Sequence, residues 1–576
     1  MRFIPLALVT TVVVNFCVAA DTVMVPMRDG AKLATDVHLP PTGGPKFPVV
    51  LVRTVYGRKD ASLAGGLHKD GIALVTQDTR GHGDSEGQKS YFVTDGWGTL
   101  QDGVDTVEWL KAQPWCNGKI GTWGSSALGM TSALLAPATK NLAGQVIHVA
   151  PSDFYNTYIP GGVPQRALSE TYPIVMGYEA EAAERRKHPT YDDYWIQLNP
   201  KARVGDVTAP AIYVGGWFDI YPQGILDGFM SRQHNGGSGA KGNSMLVMGP
   251  WPHDGGQKSG DFTFPDSSKF AWTSLAHKFL CHQLLGEQNG VMDEPPVRYY
   301  ILGDLTDPNA PGNEWRTAED WPPYSTQSTP FYFTMDGALI PNRSPSGAGT
   351  LSYTFNPRDP CPTVGGPNVV ISGGPRDQRP ISSRHDVRKF QTEPLTTPVE
   401  VTGAITVKLF VSTDAPDTDF HAKLIDIYPD GREINLAEGA QRLKFRKGVD
   451  KADPLKPGKM AEIEIACESI SAVFNTNHRI GVLISSSNYP RFELNPNTGE
   501  DRPRYTRMEG KTPSETPTLA SQASPELPPG TPPSAIADLV LDPTSVRAAD
   551  NTIYIGPRTA SALILPVRAE PAPKAN

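Results

Sequence analysis

Apolar positions along this chain fall into three successive regimes. The first, before residue 150, alternates short apolar runs with one clear helical repeat. Residues 23–40 hold two alternating stretches around Asp29-Gly30, which predicts a β-hairpin. Residues 47–53 and 71–78 are continuous apolar runs suited to buried strands. Leu100, Val104, Val107 and Leu110 then recur at helical spacing, with Asp102, Asp105 and Lys111 on the opposite face. That helix must stop before Pro114. A short strand over 119–123 and a buried helix over 127–135 complete the stretch. Strand, helix, strand, sharp turn, helix is the rhythm of a parallel α/β sheet.

The second regime, from 151 to about 206, loses that rhythm. Aromatic and charged residues dominate, notably over 179–186 and 191–195, and predict a helical insertion capping a site. The α/β pattern then resumes at 211–219 and 245–253. From about residue 353 a third regime begins, with β-type runs at 404–412, 422–428, 461–465 and 479–485 between Gly-, Pro- and Asn-rich turns. Helical periodicity is scarce there, so a β-sandwich or jelly roll is predicted. Residues 510–534 are rich in Pro, Ser and Thr and predict a disordered insertion, because they cannot bury enough surface to order themselves. The expected organisation is an α/β domain over 21–150 and 207–352, a cap over 151–206, and a β domain over 353–576.

Composition narrows the class. A chain of 576 residues exceeds one ordinary core, and 39% hydrophobic with 20% charged residues fits a soluble globular protein. A net charge of -8 offers no basic footprint for nucleic acid. At the N-terminus, Met1-Arg2 precedes an apolar run over 3–18 that ends in Val18-Ala19-Ala20 before Asp21. This is the layout of a secretory signal peptide over 1–20, which predicts a secreted or periplasmic protein with no membrane attachment after cleavage. The run is short for an uncleaved membrane anchor. A lipid-attachment site at Cys17 would want smaller residues than Asn15-Phe16. Cys116, Cys281, Cys361 and Cys467 then remain, able to form two disulfides in three pairings or to stay as buried thiols. Their spacing is not that of metal ligands, and neither metal nor cofactor is predicted.

The candidate chemistry sits at Gly124-Ser125-Ser126-Ala127-Leu128-Gly129, between a predicted strand and a predicted helix. A nucleophile elbow needs that context, since small neighbours let a tight turn lift one serine hydroxyl above the sheet. The common spacing is Gly-x-Ser-x-Gly, and here the second Gly comes one place later. A serine hydroxyl needs a base, and the base an orienting acid. Asp219 follows the run 211–216 and His253 follows 245–249, giving the chain order Ser, acid, His of α/β-hydrolases. His82 is the rival histidine, but it precedes the serine and reads as a loop residue in a Gly-rich turn. Asp254 reads as a solvated neighbour of His253.

Several of these segments together resemble the cocaine esterase family of serine hydrolases, which is related to X-prolyl dipeptidyl peptidases and α-amino acid ester hydrolases. The resemblance is carried by Tyr56 within 52–59, the loop 77–87, the elbow at Ser126, and the segments 215–219 and 249–253. It continues through 359–366, 412–420 and 485–495. It implies an α/β-hydrolase fold with an inserted helical cap, plus a C-terminal all-β jelly roll. It also implies Ser126 as nucleophile, His253 as general base and acid, Asp219 as the orienting acid, and an oxyanion site made by the Tyr56 hydroxyl and the Ala127 N–H.

Two departures stand out. Relatives carry Tyr where this chain has Ala127. The α-amino acid ester hydrolases carry acidic residues at the positions of Tyr221 and Pro222, where they help hold a substrate ammonium. A buried ammonium needs a charge partner, so α-amino acyl selectivity is not expected unless the cap supplies one. The expected activity is cleavage of small-molecule carboxylic esters through an acyl-enzyme. The alternatives are an amide-directed acylase or peptidase of the same family and, more distantly, a non-catalytic carbohydrate-binding protein using its β domain.

Overall fold

The computed structural model describes residues 21–569 except 42, 91, 265–266, 268, 342–346, 370 and 508–538. The predicted signal segment and the predicted insertion over 510–534 therefore lie outside the described residues. The N-terminal part is a sheet of ten strands: β1 (Asp21–Pro26), β2 (Lys32–His38), β3 (Phe47–Thr54), β4 (Ala73–Asp78), β5 (Cys116–Ser125), β6 (Leu142–His148), β7 (Ala211–Gly216), β8 (Met245–Gly249), β9 (Val297–Ile301) and β10 (Glu314–Ala318). Their spatial order is β1-β2-β4-β3-β5-β6-β7-β8-β9-β10. From β4 to β9 every pairing is parallel, while the β1–β2 hairpin and β10 add antiparallel edges.

Helices cover both faces, as a parallel sheet requires. All eight residues of β3 are buried. Val49 and Leu51 face the layer holding Val107 and Leu110 of α1 (Asp102–Ala112), whereas Val50 and Val52 face Leu275, Phe279 and Leu280. Those three lie on the long helix Trp272–Leu285. The alternation along one strand thus anchors both helical layers. Two further helices, α2 (Ala127–Leu135) and α3 (Pro222–Asn235), follow β5 and β7; with these, Trp272–Leu285 is α4. This is an α/β-hydrolase-type domain.

The segment between β6 and β7 consists of short helical pieces, among them Phe154–Tyr158, Glu179–Arg185 and Asp193–Gln197. The C-terminal domain is all β. Its central strands, β11 (Thr326–Phe333), β12 (Val399–Thr413), β13 (Asp419–Ile427), β14 (Glu433–Arg442), β15 (Ala461–Phe474), β16 (Arg479–Ser485) and β17 (Ala562–Arg568), are ordered β11-β17-β12-β15-β14-β13-β16, all antiparallel. By strand pairing this sheet starts at Thr326, ahead of the boundary at 353 suggested by composition. Pro330 and the polar run 326–329 hide β11 from a pattern reading, although β11 pairs with β17 along nearly its whole length.

The two domains share one core, in which Trp217 and Tyr300 of the first join Phe420 and Ile463 of the second. The backbone also continues across, since Leu302 donates to the Ser471 carbonyl and accepts from the Val473 N–H, both at 2.9 Å. Arg166, in the helical segment, forms a buried ion pair with Glu493 at 2.7 Å. Cys116, Cys281, Cys361 and Cys467 are buried free thiols, the second of the two alternatives that the sequence left open. Among the described residues, no helix is long and apolar enough to cross a membrane.

Candidate active site

The elbow at the end of β5 turns on a single strained residue. Ser126 has φ 55° and ψ -122°, a left-handed backbone that non-glycine residues rarely adopt. Its neighbours enforce it. A Cβ on Gly124 would sit 2.0 Å from the Leu128 carbonyl, and one on Gly129 would press into Ala150 at 2.8 Å and the His148 carbonyl at 3.0 Å. The late glycine of the motif is therefore the contact that lets α2 lie against the next strand. Ser126 donates its N–H to the His148 carbonyl at 3.0 Å, and its own carbonyl takes the Met130 N–H at 2.9 Å, starting α2. Ala127 is the first residue of that helix, so its N–H has no acceptor within it.

Ser126, His253 and Asp219, from three different strand ends, meet here. Ser126 Oγ lies 3.0 Å from His253 Nε2, and His253 Nδ1 lies 2.6 Å from Asp219 Oδ1. Asp219 is fully buried and stays fixed by the N–H groups of Ile220 at 2.6 Å and Tyr221 at 3.2 Å. Burial of the imidazole opposes its protonation, but the charge and hydrogen bond of Asp219 outweigh that and raise His253 above its ordinary 6.5. The imidazole can thus accept a proton on the serine side while its other nitrogen is held by a carboxylate.

Tyr56 sits on the loop after β3, half exposed, with its hydroxyl 2.7 Å from that of Tyr172 in the helical segment. The loop is clamped two residues later. Arg58 binds Asp36 at 2.9 Å, Asp78 at 2.7 Å and Asp84 at 2.8 Å, and its carbonyl takes the Thr76 hydroxyl at 2.6 Å. Much of the motif over 77–87 is scaffolding for that clamp. Gly83 has φ 51°, and a Cβ there would strike Asp78 Oδ2 at 2.1 Å. His82 belongs to the same scaffold: Nε2 is 2.6 Å from the Tyr178 hydroxyl, and Nδ1 is 3.0 Å from both the Thr79 hydroxyl and the Arg80 carbonyl. Burial lowers its pKa. Asp254 is exposed and accepts from the Gly256 N–H, apart from the Ser–His–Asp contacts.

Sequence reasoning missed two residues at this site. His148 ends β6, places Nδ1 2.9 Å from the Ser125 hydroxyl and packs its ring 4.4 Å from that of Trp272. Burial pushes it down to about 4, so it is neutral at ordinary pH. Its position at the C-terminal end of a parallel strand, where such sheets place their ligands, was the available clue. Tyr172 lies directly after a π-helical turn, Ala167–Thr171, which no periodicity announces. At the departure from the amino-ester pattern, Tyr221 is buried with its ring 5.7 Å from that of His253, edge to face.

Fold and site together define a serine hydrolase. The comparisons agree and narrow it. Residues 29–186 and 173–255 match the X-Pro dipeptidyl-peptidase (S15) family, and residues 289–563 match the X-Pro dipeptidyl-peptidase C-terminal non-catalytic domain. The chain is 33% identical over 561 residues to the cocaine esterase of Rhodococcus sp. (strain MB1 Bresler), covering 84% of this chain and 93% of that one. It belongs to the cocaine esterase family of serine hydrolases. Among solved structures it resembles an aminopeptidase from the marine sediment archaeon Thaumarchaeota archaeon, with TM-score 0.74, 24% identity and coverage of 95% and 96%. An α-amino acid ester hydrolase matches with TM-score 0.73, 24% identity and 96% of both chains. These likenesses establish the shared fold.

Proposed function

We propose that this serine ester hydrolase works through an acyl-enzyme on Ser126. The observation that carries the reading is the unbroken chain of contacts from Ser126 Oγ through His253 to Asp219, at 3.0 and 2.6 Å. Ser126 Oγ adds to the ester carbonyl carbon as its proton passes to His253 Nε2. The carbonyl oxygen becomes an oxyanion, held by the Ala127 N–H and the Tyr56 hydroxyl. Collapse expels the alcohol, which takes the proton back from His253. Water then repeats the sequence on the acyl-enzyme, releasing the acid and restoring Ser126. Asp219 holds the imidazole in the required tautomer and stabilises its protonated form.

The helices between β6 and β7 serve as a cap, a role supported by Tyr172 reaching down to Tyr56. The all-β domain, of jelly-roll type, backs the cap through Arg166 and Glu493. Tyr221 and Pro222 provide no carboxylate beside the site, which favours uncharged acyl groups over α-amino acyl groups. A fluorophosphonate probe tests the nucleophile: the wild type is labelled and Ser126→Ala is not, and equal labelling of both would sink the assignment. A panel of p-nitrophenyl esters and aminoacyl amides tests the substrate class. A preference for the free-amine substrates would overturn the argument from Tyr221.

A further inference from the structure

A second group of side chains, on α4 and at the end of the helix before β4, is left unused by the mechanism. His277 and Cys281 are four residues apart on α4, so they lie on one helical face. Facing them is Asp70, the residue that ends the short helix Ala64–Lys69. His277 Nε2 is 2.5 Å from Asp70 Oδ2, and Cys281 Sγ is 3.8 Å from the same oxygen. The imidazole nitrogen, thiol sulfur and carboxylate oxygen all lie within 4.8 Å of one another. Cys281 is 4% exposed, while Asp70 and His277 are about one-third exposed, so the group is closed below and open to solvent above.

We propose that Asp70, His277 and Cys281 form a binding site for a divalent transition metal, with zinc as the cation that suits the donor set. One thiolate, one imidazole and one carboxylate are the three donor types that zinc accepts, at about 2.3 Å to sulfur and about 2.0–2.2 Å to nitrogen and oxygen. Ligand atoms in a tetrahedral zinc site stand roughly 3.3–3.7 Å apart, which follows from those bond lengths. The observed separations bracket that range. Insertion requires the Asp70–His277 contact to open by about 1 Å, which exposed side chains allow. The open face leaves the fourth position to water. A hard cation such as calcium or magnesium is disfavoured, because it takes oxygen donors.

Burial and the charge of Asp70 push the Cys281 thiol up to about 12. An ordinary reactive cysteine is thus the wrong description. Metal binding would displace that proton, as thiolate ligation requires. The consequence for the fold is a cross-link between α4, whose first residue Trp272 packs on His148, and the helix that follows the Tyr56 loop.

The test uses the intact enzyme, stripped with chelator and dialysed against zinc, with bound metal counted by elemental analysis. One equivalent per chain is expected. Cobalt substitution should give the near-ultraviolet charge-transfer band of a cobalt–thiolate bond, and Cys281→Ser should abolish that band. Asp70→Asn, a change at an exposed side chain, and His277→Ala should each weaken zinc binding by 10-fold or more while esterase activity, which uses none of these groups, reports that the variants are folded. Less than 0.2 equivalent of zinc on the wild type, or undiminished binding in the His277 and Asp70 variants, would overturn the site.

Discussion

His82 and His253 look alike in the sequence. Each lies in a loop after a strand, beside glycine or proline, with an aspartate close by. The structure makes them opposites. His253 bridges a buried carboxylate and a serine hydroxyl, and Asp219 raises its pKa. His82 bridges a backbone carbonyl and the Tyr178 hydroxyl, and burial lowers its pKa. The difference teaches that a neighbouring aspartate in the chain is no guide to an acid partner in space. Asp254 adjoins His253 and adds only a secondary charge effect, while Asp219 lies 34 positions away in sequence and fixes it.

The most severe way to break the comparison is at the proposed nucleophile. Ser126→Ala should lower kcat on a p-nitrophenyl ester by roughly 10^4-fold or more, with the fold intact by circular dichroism. Next, Asp219→Asn should cost about 10^4-fold. It should also move the pH profile. His253 must be neutral to act as base, so wild-type kcat/KM should fall as pH drops through an apparent pKa above 6.5. Removing the Asp219 charge leaves burial as the dominant influence, and the acid limb of the residual activity should shift downward. An unshifted limb would show that Asp219 does not set the His253 pKa.

A smaller loss, about 100-fold to 1,000-fold in kcat, is expected for Tyr56→Phe, because one of the two proposed oxyanion donors is removed and the other, the Ala127 N–H, remains. A loss confined to KM would argue that Tyr56 only binds substrate. The mildest change sharpens the contrast from the other side. His82→Gln should leave kcat within a few-fold of wild type, yet lower stability by about 1–3 kcal/mol through unpaired buried groups, read as a fall in Tm. A loss of kcat as deep as that of Ser126→Ala would return His82 to the chemistry.

What could be read without coordinates followed the strength of local periodicity. β3, β4 and α1 show regular burial, and the β1–β2 hairpin and the β5–α2 turn carry local turn signals, so each was visible. The elements that escaped depend on distant partners. β14 carries Glu438, which looks like a surface charge until Arg491 and Lys423 are placed beside it in the core. The helical pieces of the second regime are mostly four to seven residues long, too short for a period to show. The three proposed triad members could be named because chain order constrains them in this fold. Tyr172 and His148 were not, since what assigns them is contact across the site. The domain boundary slipped for a related reason, with β11 held by β17 more than two hundred residues later.

The left-handed turn at Ser126 has one more consequence, which concerns how the molecule allots its stability. Held outside the favoured backbone regions, such a residue costs of order 1–3 kcal/mol, and the surrounding contacts absorb that cost. A glycine would sit there without strain. Ser126→Gly should therefore melt at a higher temperature than the active protein while doing no acyl transfer. At that position, relief of backbone strain and the proposed acyl transfer exclude each other.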